Sequence, residues 1–497
     1  MTAAGWEGVG VGVGIDATPP LPPPPQDATV SPIIRITTLR KTSFILPRPR
    51  ICKKHAGFLP SLLSVAFAIS ASAVNAAPEK QAAPMLSTEG VSASQMLDLG
   101  EHLAVAGKIG DANLILDALK QNDEGSREQI LLAGIIAVAQ GNLSLAEAGF
   151  RTLLLRDPHD TRVRLELARV LFLLHRYAAA DYHFRLSAAR SPKSVQHNIS
   201  LFRRAIQAQR TWRVSVEGGI APDTNVNSAG RDRIVDLFGL PFNVDNDARE
   251  KSGVGVFANA DVELRLRRSE AVGLSIRAFG NAREYRRSAF NDEVAGIEIG
   301  PQFRFGNAQV TVAGTGLFRW YGREIYSRAL GAALRVELPI STQWQVDLKP
   351  QFRSVNYLQN PSQNGPFMSL NGQISRSLGS HALGQIDFLA SRQSARAPGY
   401  AYREAGLGVS AFAELGNGIT VGGSIEAART VFDAPLFGFA KTRRDWRAAT
   451  TISVLNRNWI LLGFSPVTRL SFAQSKSTIS FFEYRRTRLE LALQRPF

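Results

Sequence analysis

The sequence predicts an α plus membrane-β protein, in which a short array of helical repeats precedes an antiparallel transmembrane β-barrel of about fourteen strands. Three observations carry this reading. Residue types recur at a spacing of 34 between about residues 93 and 194. From Trp212 onward the apolar residues alternate with polar ones, in stretches of ten or more. The gaps between those stretches alternate long and short. A mean hydropathy of -0.07 and a hydrophobic fraction of 44% do not oppose the barrel, because a barrel wall averages its lipid-facing and lumen-facing side chains to near neutrality.

Residues 1–47, with their Gly-Val repeat and the run TPPLPPPPQ, are low-complexity and read as a leader outside the fold, explained by a start codon placed too early. Residues 48–76 follow the order of a secretory signal: a basic stretch around Arg48–His55, the apolar run AGFLPSLLSVAFAISAS, and the small residues Val74-Asn-Ala76. The apolar run is short for a spanning helix. The single cysteine, Cys52, lies within this signal, so cleavage after Ala76 leaves a chain with no thiol. Residues 77–92 form a linker.

Residues 93–210 read as a periplasmic helical domain. Gly134, Ala146, Phe150 and Pro158 recur as Ala168, Ala180, Phe184 and Pro192, and a degenerate earlier copy places Gly100, Ala112 and Leu116. Small residues suit the close crossing of two helices, a large apolar residue fills the space between them, and proline ends the second helix. The period and residue types match the tetratricopeptide repeat, which presents a surface for peptides or partner proteins. A plain helical bundle is the competing architecture.

Residues 211–497 read as the barrel. In VGVFANADVELRLR, Val254, Val256, Ala258, Ala260, Val262, Leu264 and Leu266 form one face, and Asn259, Asp261, Glu263, Arg265 and Arg267 the other. Trp344, Val346, Leu348, Pro350 and Phe352 oppose Gln345, Asp347, Lys349, Gln351 and Arg353 in the same way. Soluble strands run about 5–6 residues, whereas a tilted spanning strand needs about 9–11. Alternation places strands at 211–218, 253–267, 271–285, 293–305, 309–320, 328–340, 343–354, 366–377, 381–392, 402–415, 419–430, 443–454, 458–472 and 481–497. Long gaps such as 219–252, 393–401 and 431–442 alternate with short ones such as Gly306–Ala308 and Gly416–Gly418, the pattern of outer loops and periplasmic turns. An even strand count puts both chain ends in the periplasm. Trp320, Tyr321, Trp344, Trp446 and Trp459 fall near strand ends, as an interfacial girdle requires. The closing residue, Phe497, ends an alternating strand and resembles the signature that outer-membrane barrels present to the barrel assembly machinery.

The formal charge of +16 is spread along the chain with no dense basic tail, which argues against nucleic acid as a partner. Asp223-Thr-Asn225-Val-Asn227 begins like a calcium loop, but Ser228 stands where glycine is needed and Ile234 where the closing glutamate should be; it reads as a mobile polar loop. No histidine belongs to a paired metal spacing and no G-x-S-x-G occurs. The sequence therefore carries no catalytic constellation and implies no cofactor. Glu263, Arg265, Arg277, Arg283, Arg304, Arg335, Glu337, Asp347, Lys349, Arg353 and Glu426 are expected to face the lumen, either as a network that fills it or as the lining of a hydrated passage.

Repeats followed by a fourteen-strand barrel resemble the surface lipoprotein assembly modifier family. The most local element is Gly219-Ile-Ala-Pro222-Asp223-Thr-Asn225-Val-Asn227, similar to that family's Pro-Asp-x-Asn-x-Asn stretch. The resemblance implies an outer-membrane translocator without enzymatic activity. In it the periplasmic repeats engage a client, a surface lipoprotein or a haem-binding protein, and the barrel delivers it to the cell surface. An exopolysaccharide export porin and an outer-membrane lipid-modifying enzyme are the alternative readings.

Overall fold

The computed structural model describes residues 91–497 except 190, 210, 270, 458, 460, 462–463 and 495–497. The leader, the signal with Cys52, nearly all of the 77–92 linker and Phe497 lie outside the described residues.

Among the described residues seven helices come first: α1 (Ala93–Val105), α2 (Ile109–Asn122), α3 (Arg127–Ala139), α4 (Leu143–Arg156), α5 (Thr161–Leu173), α6 (Tyr177–Ala188) and α7 (Lys193–Gln209). α1, α3 and α5 begin 34 residues apart, and so do α2, α4 and α6. The turns obey the same period. Gly107, Gly141 and His175 each adopt a positive φ. The residue that follows each one donates its amide to a carbonyl five back: Lys108 to Leu103, Asn142 to Ala137 and Arg176 to Leu171, at 2.8–2.9 Å. This is a left-handed helix stop bonded in the Schellman manner. Residues up to Leu132 form one compact unit, and Ala133–Phe497 belong to another. In the first, Ser92 caps α1 in a capping box with Gln95. Gly100 there leaves room for Leu132, whose side chain would stand 2.6 Å from an added Cβ.

In the second unit Gly134 performs the same service for Phe150, whose ring would meet a Cβ at 2.4 Å. Ala146, Phe150, Ala168 and Ala180 are fully buried, and Phe184 stacks on Phe202 with centroids 5.0 Å apart. Pro158 follows the end of α4, and Pro192 immediately precedes α7. The helices are tetratricopeptide-type hairpins.

The barrel follows from β1 (Trp212–Asp223), then β4 (Gly253–Arg267), β5 (Val272–Tyr285), β6 (Asp292–Phe305), β7 (Ala308–Tyr321), β8 (Glu324–Pro339), β9 (Trp344–Tyr357), β10 (Gly365–Leu378), β11 (Ala382–Gln393), β12 (Tyr402–Glu414), β13 (Ile419–Phe432), β14 (Arg444–Asn456), β15 (Ser465–Ser477) and β16 (Tyr484–Gln494). Each strand pairs antiparallel with its neighbours, and β1 closes on β16. Two further strands, β2 (Ile234–Leu237) and β3 (Leu240–Asn243), form a separate hairpin inside the first long connection, where the sequence alternation predicts only loop. The wall is apolar outside: Val254, Val256, Leu330, Phe352 and Ile425 are all more than 45% exposed, as lipid-facing side chains of a closed barrel are.

Of the boundaries that differ from the sequence expectation, three bear on how the barrel closes and turns. β1 runs on to Asp223, because Gly219 lets β16 approach so closely that an added Cβ would lie 2.1 Å from the Leu491 carbonyl. β8 starts at Glu324, since Gly322 and Arg323, at φ 61° and 75°, make a two-residue turn where a longer outer loop was expected. β15 starts at Ser465 and not at 458, so Trp459 lies in the preceding connection.

Candidate functional site

Within the second unit, α6 meets the barrel at its short-turn rim. Every residue from Ala179 to Ala188 is buried, unusual for a surface repeat helix. Tyr182 and Leu186 join an apolar cluster with Ala221, Phe257, Leu383, Phe412, Leu455, Val467 and Ala492, which face inward from seven strands. Around this cluster lies a set of buried ions. Glu414, the last residue of β12, pairs with Arg164 of α5 at 2.8 Å and with Arg457 beyond β14. The Tyr182 hydroxyl donates to Glu414 and accepts from Arg457 at 3.1 Å. Arg164 also donates to the Pro158 carbonyl and lies 3.2 Å from the His183 ring. Arg185 donates to Ser375 of β10 at 3.1 Å, and Arg203 of α7 pairs with Asp181 at 2.7 Å. The His159 and His381 rings meet at 4.1 Å, and Ser380 donates to the His159 carbonyl at 3.4 Å.

Two physical effects shape the helix side of this site. Burial, aided by the Arg164 charge, holds the His183 imidazole well below its ordinary pKa and so neutral. Burial also pushes the Tyr182 phenol up and pulls Arg185 down to about 9. Two arginines and a tyrosine converge on this one carboxylate, and removing the acid would leave two buried cations unpaired.

Deeper in the barrel, the inward face carries a second charge network. Glu263 of β4 accepts from Arg265 at 2.9 Å, from Ser275 at 2.9 Å and from Arg335 of β8 at 3.0 Å. Glu337 of β8 accepts from Arg265 at 3.3 Å. Glu298 of β6 collects Arg335, Arg277 and Lys349 at 2.5, 3.4 and 3.2 Å, and Arg277 also pairs with Asp261. Since β4 and β8 are not neighbours in the sheet, the Glu263–Arg335 and Arg265–Glu337 pairs reach across the interior. Asp347 accepts from Gln345 at 2.9 Å; Arg353 stands 5.9 Å over the Phe367 ring; Arg283 pairs with Glu490 at 2.9 Å; Glu426 of β13 is half-buried; Arg304 of β6 shares the face of Glu298 by strand alternation.

At the opposite rim the motif residues form a knot. Asp223 accepts from Arg486 at 2.5 Å and Arg488 at 3.0 Å, both on β16. Asn225, fully buried, accepts from the Ala229 amide and donates to the Arg485 carbonyl. Asn227 donates to the Asp247 and Arg249 carbonyls and accepts from the Lys251 amide. The expected mobile polar loop is therefore a buried, hydrogen-bonded clasp between β1, β16 and the first long connection. Pro222 lies within β1, paired with Val254.

The structure buries Ala146, Phe150, Ala168, Ala180 and Phe184 within the repeats, and sequence reasoning did not single out Arg164, Tyr182, His183, Arg185 and Glu414. A signal existed: helix α6 places Asp181, His183 and Arg185 where a free repeat would need only one polar face.

The fold and these sites define an outer-membrane β-barrel protein with an N-terminal helical-repeat domain. The chain belongs to the surface lipoprotein assembly modifier family, whose pattern matches residues 212–497. It is 25% identical to surface lipoprotein assembly modifier 1 of Neisseria meningitidis, over 79% of this chain and 81% of that protein. It is also 25% identical to the hemophilin secretion modulator of Acinetobacter baumannii, over 47% of this chain and 51% of that protein. The helices align with PcrH of Pseudomonas aeruginosa at 24% identity and a TM-score of 0.21, covering 24% of this chain and 95% of that one.

Proposed function

We propose that this protein delivers client proteins, surface lipoproteins or haem-binding proteins, across the outer membrane to the cell surface. In this reading residues 93–210 stand in the periplasm and engage the client, and the barrel, inserted by the barrel assembly machinery, passes it outward. The single observation that carries the reading is that α1 and α2 leave Leu99, Val105 and Leu114 exposed, Leu114 at 64%, in a chain whose relatives are named for lipoprotein assembly and hemophilin secretion. Exposed aliphatic residues on a helical repeat are the kind of surface that holds a partner segment. The α6 seat and the cross-lumen ion pairs support a resting barrel that is closed, so passage requires the helices and the network to rearrange. No nucleotide or cofactor enters this scheme.

The test is surface display of a lipoprotein or haem-carrier client encoded beside this gene, in cells lacking the native copy. Leu99→Glu with Leu114→Glu should abolish display while the barrel remains inserted and heat-modifiable on gels. Normal display by that variant, or by a chain deleted for residues 93–194, would remove client docking from the helices.

A further inference from the structure

The lipid-facing wall carries a feature that client delivery does not use. Arg392 of β11, Arg403 of β12, Arg429 of β13 and Arg444 of β14 all project outward, on the face opposite the inward Gln393, Glu404, Thr430 and Asp445. All four lie within four residues of the long-loop end of their strand. Arg392 and Arg403 stand directly opposite each other in the ladder; Val431 separates Arg403 from Arg444, and Arg429 is one outward position deeper. Like charges opposite one another weaken a sheet. Arg392 is offset by Asp433, with donor distances of 2.5 and 2.7 Å. Among the described residues Arg403 makes no direct ion pair and only shares the field of Asp433 with Arg392, Arg444 has no carboxylate partner, and Arg429 has only the Trp446 ring, at 5.2 Å.

These arginines border a groove of about 1200 Å³ on the outer wall, whose floor includes Pro350, Phe352, Met368 and Leu370. Phe352 and Met368 pair across β9 and β10, and both are about half exposed. Three under-neutralised guanidiniums at headgroup depth beside an apolar trough need a ligand with clustered phosphate and several acyl chains. A zwitterionic phospholipid would bring an amine with each phosphate. Arg forks bind phosphate bidentately and charge-assisted.

We infer that this groove is a binding site for a multiply acylated, phosphorylated glycolipid of the outer leaflet. The chains lie over Phe352 and Met368, and the phosphates are held by Arg403, Arg429 and Arg444. The assignment rests on the long-loop rim facing the cell exterior, and it is independent of client docking by the helices.

Diphosphoryl lipid A in mixed micelles, titrated onto the delipidated full chain, tests it. The combined R403Q, R429Q and R444Q variant should bind at least about tenfold more weakly. Wild type should bind dephosphorylated lipid A just as weakly and should not exchange its ligand for phosphatidylethanolamine. R376Q, at the opposite rim where Arg376 stacks on Trp344 at 4.9 Å, should bind as wild type. R403Q alone, expected to weaken binding about threefold, serves if the triple variant does not show heat-modifiable migration. Wild-type affinity in a folded arginine variant, equal binding of the dephosphorylated lipid, or displacement by inorganic phosphate would overturn the site.

Discussion

Hairpins α1–α2 and α5–α6 follow one 34-residue plan, with the same helix lengths to within two residues and the same left-handed stop. Their surfaces differ. α2 buries only Ala112, Ile115 and Leu119, while α6 buries every residue from Ala179 to Ala188, including an aspartate, a histidine and an arginine. The repeat pattern thus encodes how two helices pack on each other. It leaves open what the rest of each surface does, and in the third hairpin that remainder is written in ions matched to the barrel.

The strongest break in this comparison is Glu414→Gln. Arg164 and Arg457 would then be buried without a counter-charge, at about 3–5 kcal/mol. Thermal or protease-monitored release of α5–α7 should occur well before barrel melting; unchanged release would show that the ions do not seat the helices.

Next comes crowding within the repeat. Gly134→Ala drives a methyl into the Phe150 ring and should cost about 1–3 kcal/mol, whereas Gly110→Ala, with open space around it, should be neutral or slightly stabilising. Equal melting shifts in the two variants would contradict the packing role given to Gly134.

His183 offers a pH-dependent contrast, since α2 buries no histidine. With the seated pKa held well below the ordinary value near 6.5, the released state takes up a proton first as pH falls. The contribution to seating is therefore fully present above about pH 6.5 and is lost progressively below it. Arg164, Arg151 and Arg457 reinforce the depression, and Glu414 opposes it. His183→Gln should flatten the dependence; an unchanged profile would assign it elsewhere.

The smallest effect on stability belongs to Leu114→Glu. At 64% exposure it should shift the melting of α1–α2 by under about 0.5 kcal/mol, sharpening the distinction between a surface that holds the fold and one free for a partner. A loss of several degrees would mean that Leu114 is structural.

Much of this was legible in the sequence. The strand from Gly253 to Arg267 was placed to the residue, because ten or more alternating positions fix both face and register. The 34-residue recurrence marked Gly134, Phe150, Ala180 and Phe184 because packing constraints repeat locally. What escaped were contacts distant in the chain: Tyr182 with Glu414 are 232 residues apart, and Asp223 with Arg486 are 263 apart. The run after Asn456 misled for a different reason. Trp459 and Leu461 have strand composition but lie in a connection, and composition alone does not say whether a ladder partner is there.

The junction between α7 and β1 has a mechanical consequence. Only residues 210 and 211 separate Gln209 from Trp212, a tether of about 10 Å even when fully drawn out. A load applied to α7 has almost no slack to take up before it reaches the foot of β1, the strand that both opens the sheet and completes its circle against β16. Tugging on the helices is therefore tugging on the barrel's closure.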